Sequence, residues 1–292
     1  MKYIIAGDLM VDVVTVLHDA EIHFGDDNRA TVELHGGGAA ANVASWMGRA
    51  GHHPHFYCAI GDDIIGHALV ADLQHVGVDV HATHTAGPTG AVVALVHPDG
   101  ERTMFPSSEA NGGLSMSGLD GVVHPGDHVH LSGYVLLREN SRAKALHYIE
   151  VAKAAGATVS MDPASARLIY VMGAKFALQS MQGVDLLIAN EAEAMTLTET
   201  RHPHSAAQSL ADHFPTAIVK LGPDGACVWH EGVLISRPAV KSVVVDTVGA
   251  GDAFAAGAIP AWKTGRQIED VLEAGNLFGH RAVEQRGARP LP

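Results

Sequence analysis

The residues best suited to chemistry lie in one run near the carboxyl end of the chain, residues 246–255, with the sequence Asp-Thr-Val-Gly-Ala-Gly-Asp-Ala-Phe-Ala. Gly249, Ala250 and Gly251 let bare backbone approach a ligand, and an alanine-rich helix is predicted to begin at about Asp252. A helix start offers unpaired N–H groups and a partial positive charge, and both favour a phosphate. A carboxylate within such an anion site needs a purpose, so the run suits phosphoryl transfer to an alcohol, with Asp252 accepting the hydroxyl proton.

The same run also has a purely structural interpretation. Three valines at 243–245 predict the end of a buried strand. A tight strand-to-helix turn with an acidic residue at the helix start would need no ligand. Because such turns are common, the run alone leaves both interpretations open.

A second glycine run occupies residues 36–42, with the sequence Gly-Gly-Gly-Ala-Ala-Ala-Asn. It follows an alternating stretch at 30–34, so it predicts a strand, a glycine turn and then a helix. Gly37 and Gly38 leave room for a ligand against the main chain, and Asn42 lies about one helical turn further on.

Gly36, Gly38 and Ala41 also fit the dinucleotide-binding fingerprint, which places a pyrophosphate at a helix start. That fingerprint follows the first strand of its sheet, whereas here the predicted first strand spans 2–7 and roughly thirty residues intervene. A dinucleotide-binding protein is therefore the less favoured interpretation.

The two runs resemble the two signatures of the ribokinase-like (PfkB) family of sugar and nucleoside kinases. The resemblance extends over essentially the whole chain, because its elements occur in family order from Asp12 to the Arg-Gly-Ala sequence at 286–288. It implies an α/β fold with a doubly wound, mostly parallel sheet, a small β lid, and ATP-dependent phosphorylation of a primary hydroxyl on a sugar or sugar-like substrate. Asp252 is then the general base, and the amides of 249–251 form the anion hole. A nucleoside kinase of the pseudouridine or adenosine type is the alternative on the same fold.

By the same resemblance, the substrate hydroxyls are expected at Asp12, Gly37, Gly38 and Asn42. A carboxylate accepts hydrogen bonds but cannot donate them, so Asp12 selects a polyol over an apolar ligand. The alternative for Asp12 is a solvated acid at a strand end.

The Asn-Glu-Ala-Glu sequence at 190–193 resembles the family element that arranges Mg²⁺ and phosphate through water. Magnesium keeps several of its waters, so a sparse acidic motif that includes Glu193 is sufficient. The structural alternative is a capping box, with Asn190 at the N-cap and Glu193 three residues later.

Further residues are expected, again through the resemblance, to contact ATP or a monovalent cation. Lys220, Gly222 and Gly225 would lie along the phosphates or the ribose, and Asn276 beside the adenine. A Pro-Asp-Gly hairpin turn explains the two glycines nearly as well, and packing explains the small residues around Asn276. Asp246 resembles the family's ligand for a monovalent cation, so activation by K⁺ is an expectation.

Composition excludes several classes of partner. A chain of 292 residues that is 47% hydrophobic can bury a large core, and we expect one domain over residues 1–292. The formal net charge of −13 argues against binding nucleic acid or an anionic membrane surface. Cys58 and Cys227 lie far apart in apolar runs, which indicates reduced core cysteines in a cytoplasmic protein. The apolar start of the chain is too short for a signal peptide, and no run approaches membrane-spanning length.

The twenty histidines raise the question of a metal site. Several lie in short groups, but none has the helical HExxH arrangement, and no cysteine lies nearby to complete a zinc set. We therefore expect the histidines to be solvated or to serve packing, mostly in loops and at the ends of elements.

Hydrophobic patterning predicts how the motifs are positioned. Apolar strands alternate with helical patterns, which indicates parallel βαβ units with right-handed crossovers. The predicted strands are 55–60, 128–132, 158–162, 185–189 and 217–221, with helices at 66–76, 141–155 and 205–213.

Two stretches, at about 11–35 and 88–107, alternate at period two with no helix between their strands. The second contains Asp99-Gly100, a strong hairpin turn. Such strands can form a small separate sheet over the ligand crevice, and the alternative is an antiparallel edge of the main sheet. The resembled family has a lid of this kind that often pairs two subunits, so a homodimer through the lid is expected.

Two further function classes fit the chain less well. No Walker A lysine motif occurs in it, which disfavours a P-loop kinase. A non-catalytic sugar sensor is disfavoured too, because an idle protein has no need of Asp252.

Overall fold

The computed structural model describes residues 1–99, 101–115, 119 and 121–291. These residues contain thirteen strands: β1 (Tyr3–Ala6), β2 (Met10–Leu17), β3 (Ala30–Gly37), β4 (His55–Gly61), β5 (Asp79–Thr85), β6 (Gly90–Val96), β7 (Arg102–Ser107), β8 (His128–Ser132), β9 (Thr158–Asp162), β10 (Leu186–Asn190), β11 (Thr216–Lys220), β12 (Ala226–His230) and β13 (Val233–Arg237). They also contain ten α-helices: α1 (Ala39–Arg49), α2 (Ile64–His75), α3 (Gly133–Leu137), α4 (Glu139–Ala154), α5 (Ala166–Met172), α6 (Ala174–Ser180), α7 (Glu191–Thr198), α8 (Pro203–Leu210), α9 (Ala250–Lys263) and α10 (Ile268–Val283). Two 3₁₀ turns, Ala110–Gly113 and Gly222–Asp224, complete the set.

Nine strands form one large sheet in the order β13-β12-β11-β10-β9-β8-β1-β4-β5. Neighbouring strands are parallel, except that β12 is antiparallel to both β11 and β13. Nearly continuous apolar strands dictate this arrangement, because a parallel sheet has to be covered on both faces. The prediction of a doubly wound, mostly parallel sheet is confirmed.

The side chains of each central strand alternate between two hydrophobic cores. In β1, Ile4 belongs to the core on one face of the sheet and Ile5 to the core on the other. Helices α3 to α8 cover the first face, and α1, α2, α9 and α10 cover the second. The sheet therefore fixes the carboxyl ends of its parallel strands, where ligands bind in folds of this kind.

Four strands form a second, smaller sheet in the order β3-β2-β6-β7. The β2–β3 and β6–β7 pairs are antiparallel, while β2 and β6 run parallel. These strands fall in the segments 11–35 and 88–107 and form no edge of the large sheet within the described ranges, so the edge alternative does not apply. Gly100 of the predicted hairpin turn lies outside the described residues.

The predicted buried strand at 243–245 is wrong. Val243, Val244 and Val245 are 79%, 61% and 52% exposed and belong to no strand. The segment lies beyond β13, the last strand at its edge of the sheet, and crosses to the end of α10. There the Val245 N–H donates to the Val283 carbonyl at 2.7 Å instead of joining a strand ladder.

The other predicted strands coincide with β4, β8, β9, β10 and β11 to within one residue. Strand β5 was not predicted, because it is an edge strand with mixed polar sequence and no fully buried residue. Cys58 and Cys227 are buried and unpaired. Among the described residues, no helix is both long and apolar enough to cross a membrane.

Candidate active site

The two glycine runs meet through a contact between their polar side chains. Asn42, in α1, donates from Nδ2 to Oδ2 of Asp252 at 2.8 Å, although 210 residues separate them. Asp252 lies in the first turn of α9, whose N-cap residue is Gly249. Within the described residues no side chain caps this helix start, so its first N–H groups face toward any anion placed there.

Both turns require glycine. Gly38 has φ +95°, and a Cβ there would lie 2.3 Å from the Asp8 carbonyl oxygen. Gly249 has φ +77°, and its Cβ would lie 2.5 Å from the Cα of Ala288. The first turn is therefore pressed onto the end of β1 and the second onto the carboxyl-terminal turn of the chain.

Burial raises the pKa of Asp252 to about 7. The hydrogen bond from Asn42 and the charge of Lys220 oppose this rise, while the charges of Asp162 and Asp12 add to it. A carboxyl group that titrates near neutral pH is well matched to accepting a hydroxyl proton, because it is a stronger base than an ordinary aspartate and is still about half ionised at pH 7.

Lys220 places a positive charge next to the Gly251 backbone. Its Nζ lies 2.5 Å from Oδ2 of Asp162, and a Cβ on Gly251 would lie 3.0 Å from the same nitrogen. Burial alone lowers the pKa of Lys220, but the carboxylates of Asp162, Glu193 and Asp252 outweigh it and raise the pKa. The ammonium group is therefore charged and held at the base of the helix start.

Asn190 and Glu193 form a complete capping box at the start of α7. The Asn190 N–H and Nδ2 donate to Oε2 and Oε1 of Glu193 at 2.8 and 2.7 Å, and the Glu193 N–H donates back to Oδ1 of Asn190. The capping alternative is thus correct as a description of the local structure. Burial, with the charge of Asp162 adding to it, raises the pKa of Glu193 to about 7, so this buried acid belongs electrostatically to the Asp252 group.

The carboxyl group of Asp12 lies against the first glycine turn. A Cβ on Gly37 would lie 2.4 Å from the Asp12 carboxylate, so only glycine leaves room for it. Burial raises the pKa of Asp12 to about 6, opposed by the charges of Arg289 and His35. The structure therefore brings Asp12 against Gly37, the neighbour of Gly38, and Asn42 lies in the first turn of α1 directly after them.

Three atoms near these turns lack partners. Asn42 Oδ1, Ser132 Oγ and Arg289 Nε are buried, yet none has a hydrogen-bond partner among the residues that the structure describes. Ser132 ends β8, beside β1. Buried polar groups are almost always satisfied, so these oxygens fit a site that a polar ligand completes.

The residues expected to contact the nucleotide mainly contact the protein's own backbone. Asn276 donates from Nδ2 to the carbonyls of Arg237 and Pro238, both at 3.1 Å, and so fixes the chain just after β13. Gly225 has φ +97° and packs on the same segment, where a Cβ would lie 2.1 Å from the Arg237 carbonyl oxygen. Gly222 has φ +56° with open space at its Cβ position.

Asp246 joins three parts of the chain. Its carboxylate accepts from the Val248 N–H at 3.1 Å, the Gly287 N–H at 3.2 Å and the Arg102 guanidinium at 3.2 Å. Arg102 begins β7, so this ion pair ties the small sheet to the segment before α9. Burial raises the pKa of Asp246, but these hydrogen bonds outweigh it and the net shift is downward.

Three site residues were missed by sequence reasoning. Asp162 ends β9 beside the other strand ends, and that position was the only available signal. Asp8 is buried and accepts from Arg138 at 2.8 Å. Arg289 is buried below the first glycine turn, where it donates to the Gly37 carbonyl at 3.0 Å, and no local pattern could reveal a contact spanning 252 residues.

The dinucleotide-binding interpretation does not fit this geometry. The glycine run at 36–38 begins with the last two residues of β3, which lies in the small sheet and pairs antiparallel with β2. The fingerprint requires the first strand of a parallel sheet.

Comparison with known proteins identifies the arrangement. The pfkB family of carbohydrate kinases matches residues 2–292 of the chain. The chain is a pfkB family carbohydrate kinase. Its fold is ribokinase-like, and the kinases of this family transfer a phosphoryl group to a hydroxyl.

This kinase is 32% identical over 262 residues to the ATP-dependent ribose-1-phosphate kinase of Halopiger xanaduensis, covering 88% of this chain and 83% of that one. It is 27% identical to a fructokinase of Vibrio alginolyticus, over 94% of each chain. The crystal structure of adenosine kinase from Sinorhizobium meliloti is similar with a TM-score of 0.87 and 25% identity, over 100% of this chain and 96% of that one. This pfkB kinase is therefore a sugar or nucleoside kinase that uses ATP.

Proposed function

We propose that this kinase transfers the γ-phosphoryl group of ATP to a primary hydroxyl of a sugar or sugar-like substrate, with Asp252 as the general base. The observation that carries the proposal is the position of Asp252, a carboxyl group with a pKa raised to about 7 in the first turn of an uncapped helix. A proton acceptor and an anion site within one helical turn are the two parts that phosphoryl transfer to an alcohol needs.

Each group has one role in the reaction. The substrate oxygen forms a bond to the γ-phosphorus while the bond from that phosphorus to the bridging oxygen breaks, so ADP leaves with the electron pair. Asp252 takes the hydroxyl proton. The amides of Gly249, Ala250 and Gly251 and the ammonium of Lys220 stabilise the charge on the transferring group.

The substrate is proposed to lie between Asp12 and the first glycine turn. The Asp12 carboxylate accepts from two sugar hydroxyls, the amides of Gly37 and Gly38 donate, and the free Oδ1 of Asn42 accepts from a third hydroxyl. The small sheet is proposed to act as a lid over this crevice, with Arg102 already in contact with Asp246.

The nucleotide and its cations have a proposed place on the other side of Asp252. Mg²⁺ bound with ATP neutralises phosphate charge, and Glu193 with Asn190 would hold it through water, since their own groups are occupied by the capping box. Lys220, Gly222, Gly225 and Asn276 would line the nucleotide. A K⁺ ion at Asp246 requires Arg102 to release the carboxylate, so activation by K⁺ is proposed to accompany movement of the small sheet.

A nucleoside is the second candidate substrate. The similarity to adenosine kinase over the full chain favours it. Met104 and Phe105 of β7 are more than half exposed and could cover a flat base once the small sheet closes.

A coupled ADP-release assay with ATP and Mg²⁺ tests the proposal. The panel covers pentoses, ketohexoses, 2-keto-3-deoxy acids, ribose 1-phosphate, adenosine and pseudouridine, each with and without K⁺. One substrate standing well above the rest supports the proposal and names its class. Silence across the panel together with normal ATP binding in a thermal shift would favour a sensor, while stabilisation by NAD instead of ATP would overturn the kinase site.

A homodimer through the small sheet is also proposed. The exposed side chains Val32 and Leu34 on β3 and Met104 and Phe105 on β7 give that sheet apolar side chains on its surface. Light scattering after size exclusion gives the mass of the particle. A monomer at micromolar concentration would contradict the dimer.

A further inference from the structure

Three donor atoms converge at the end of the large sheet opposite the proposed active site. Nδ1 of His55 lies 2.9 Å from Oδ2 of Asp79, and Nε2 of His81 lies 3.3 Å from the same oxygen. The two ring nitrogens are 3.3 Å apart. His55 and Asp79 begin the parallel strands β4 and β5, so this group, the His55–Asp79–His81 triad, lies at the amino ends of the strands.

The strand pairing explains why the three side chains meet. His55 is the register partner of Asp79, and His81 follows Asp79 by two residues, so the period of two puts all three on one face of the sheet. The ring of Tyr57 stacks on His81 at 4.5 Å with an 11° angle between the planes. This contact helps to hold the His81 ring in place.

The spacing matches a transition-metal site. Ligands about 2.0–2.1 Å from a tetrahedral metal ion lie about 3.3 Å from one another, close to the three distances in the triad. Two imidazoles and one carboxylate are ligands that suit Zn²⁺ and its neighbours in the first transition row, and they do not favour Mg²⁺.

Hydrogen bonding accounts for two of the three short contacts. N–H groups at Nδ1 of His55 and Nε2 of His81 can each donate to Oδ2 of Asp79, but the 3.3 Å contact between the two nitrogens then has no acceptor. A cation at the centre of the triangle satisfies all three atoms at once.

An open space borders the triad. A cavity of about 660 Å³ is lined by Lys2, His55, Tyr57, His81 and Thr83, together with three further residues. An ion held by three protein atoms keeps at least one coordination position for water, and the cavity provides the room.

We propose that His55, Asp79 and His81 bind one divalent transition-metal ion of the Zn²⁺ class, with an open coordination position toward this cavity. The ion would join the edge strand β5 to β4. Without it, β5 is held only by its backbone hydrogen bonds to β4 and by the packing of a half-exposed face. The site is independent of phosphoryl transfer, because it lies at the other ends of the strands.

Metal titration of the untagged, chelator-treated kinase tests the site. We expect one equivalent of Zn²⁺ by calorimetry, a Co²⁺ derivative with visible absorption bands, and a rise in Tm on adding Zn²⁺. His81→Gln should weaken Zn²⁺ binding by about tenfold or more and abolish the Co²⁺ bands, because it leaves two of three ligands. Kinase activity should stay at the wild-type level.

His84→Gln is the matched control. His84 lies on the same strand, near Asp62 and His67, but its Nδ1 is 3.9 Å from Oδ1 of Asp62, so that group is looser. Its Zn²⁺ binding should equal that of the wild type. Equal binding by wild type and His81→Gln, or loss only in His84→Gln, would overturn the proposal. Asp79→Asn, which keeps the shape of the side chain, gives the same answer if His81→Gln folds poorly.

Discussion

The acidic group around Asp252 and a pair of histidines in β8 are both buried, yet burial shifts their pKa values in opposite directions. In the first, Asp252 and Glu193 have pKa values raised to about 7, mainly by burial. In the second, burial lowers the pKa of His128 well below its usual value and that of His130 to about 4.

The histidine pair is satisfied by its own neighbours. His128 contacts Oγ1 of Thr158 at 2.9 Å and Oγ of Ser160 at 2.8 Å, and Nδ1 of His130 contacts the same Ser160 oxygen at 2.8 Å. These residues lie on adjacent strands β8 and β9, so the sheet itself completes the network. Neutral rings in such a network rigidify a core without holding charge.

This difference indicates a structural role for the histidine pair and a chemical role for the acidic group. Around Asp252, three carboxyl groups share one ammonium, that of Lys220, and Oδ1 of Asn42 has no partner within the described chain. An excess of carboxyl groups and an unpaired buried oxygen are typical of a site that takes up a proton or binds a ligand. The two groups also affect the pH dependence of stability in opposite directions. Carboxyl groups with raised pKa values destabilise the fold as pH rises, while histidines with lowered pKa values destabilise it as pH falls.

The largest expected effect comes from Asp252→Asn, which removes the proton acceptor and keeps the shape. Turnover should fall by about 10³-fold or more, with the Kd for ATP nearly unchanged, because the amide cannot accept the hydroxyl proton. Steady-state kinetics and calorimetry with ATP measure the two quantities.

A stability measurement controls for misfolding of that variant. Asp252→Asn should raise Tm at pH 8, where the wild-type carboxylate is ionised in a buried position, and should change it little at pH 5. A small loss of turnover in a folded variant would show that Asp252 is not the base.

Acid stability tests the histidine pair. The folded-state pKa of His130 lies below its unfolded value, so its stabilising contribution is present above about pH 6.5 and is lost as pH falls toward 4. That loss amounts to about 3 kcal/mol in the free energy of unfolding at pH 4. The free energy of unfolding, measured with urea, should fall less steeply from pH 7 to pH 4 in His130→Gln than in the wild type. In His204→Gln, a substitution at an exposed position on α8, it should fall as steeply as in the wild type. If His130→Gln does not fold, NMR titration of the wild-type ring decides: a pKa near 6.5 contradicts the prediction.

Lys220→Met sharpens the comparison by removing the ammonium charge that faces the acidic group. Turnover should fall by about 10²-fold, because the anion site loses charge. The pKa of Asp252 should rise, and since the ionised form is the active base, the acid limb of the pH–rate profile should move to higher pH. An unchanged limb would place Lys220 outside the electrostatic group.

Asp12→Asn should have the smallest of these effects. It removes a hydrogen-bond acceptor for the substrate and leaves Asp252 in place, so KM for the sugar should rise by about tenfold with a smaller change in kcat. Asp63→Asn, which affects the N-cap of α2 and its hydrogen bonds from Thr89, serves as the control for a general loss of stability. A selective fall in kcat for Asp12→Asn would assign that residue to the chemical step.

Local rules predicted the parts of this site that depend on local geometry. The turns at Gly38 and Gly249 need positive φ, and that need is written in the glycines themselves. The large sheet follows from strands that are apolar on both faces. The valines at 243–245 show the limit of such rules, since an apolar run predicts a strand only where the fold supplies a neighbour to pair with.

The missed contacts are those set by tertiary structure alone. Lys220 meets Asp162 across 58 residues, and Arg102 meets Asp246 across 144. Nothing in the neighbouring residues specifies such partners. The triad of His55, Asp79 and His81 was likewise not expected, because its spacing along the chain matches no metal motif and only the register of β4 with β5 assembles it.

Arg289 and its neighbours have a consequence for how the protein is made. Arg289 supports the Gly37 turn, and the Ala288 carbonyl accepts from the indole N–H of Trp46 at 3.0 Å. The ribosome adds these two residues after the other residues of the proposed site. The proposed substrate pocket therefore stays incomplete during most of translation, even in a nascent chain that has already folded its large sheet.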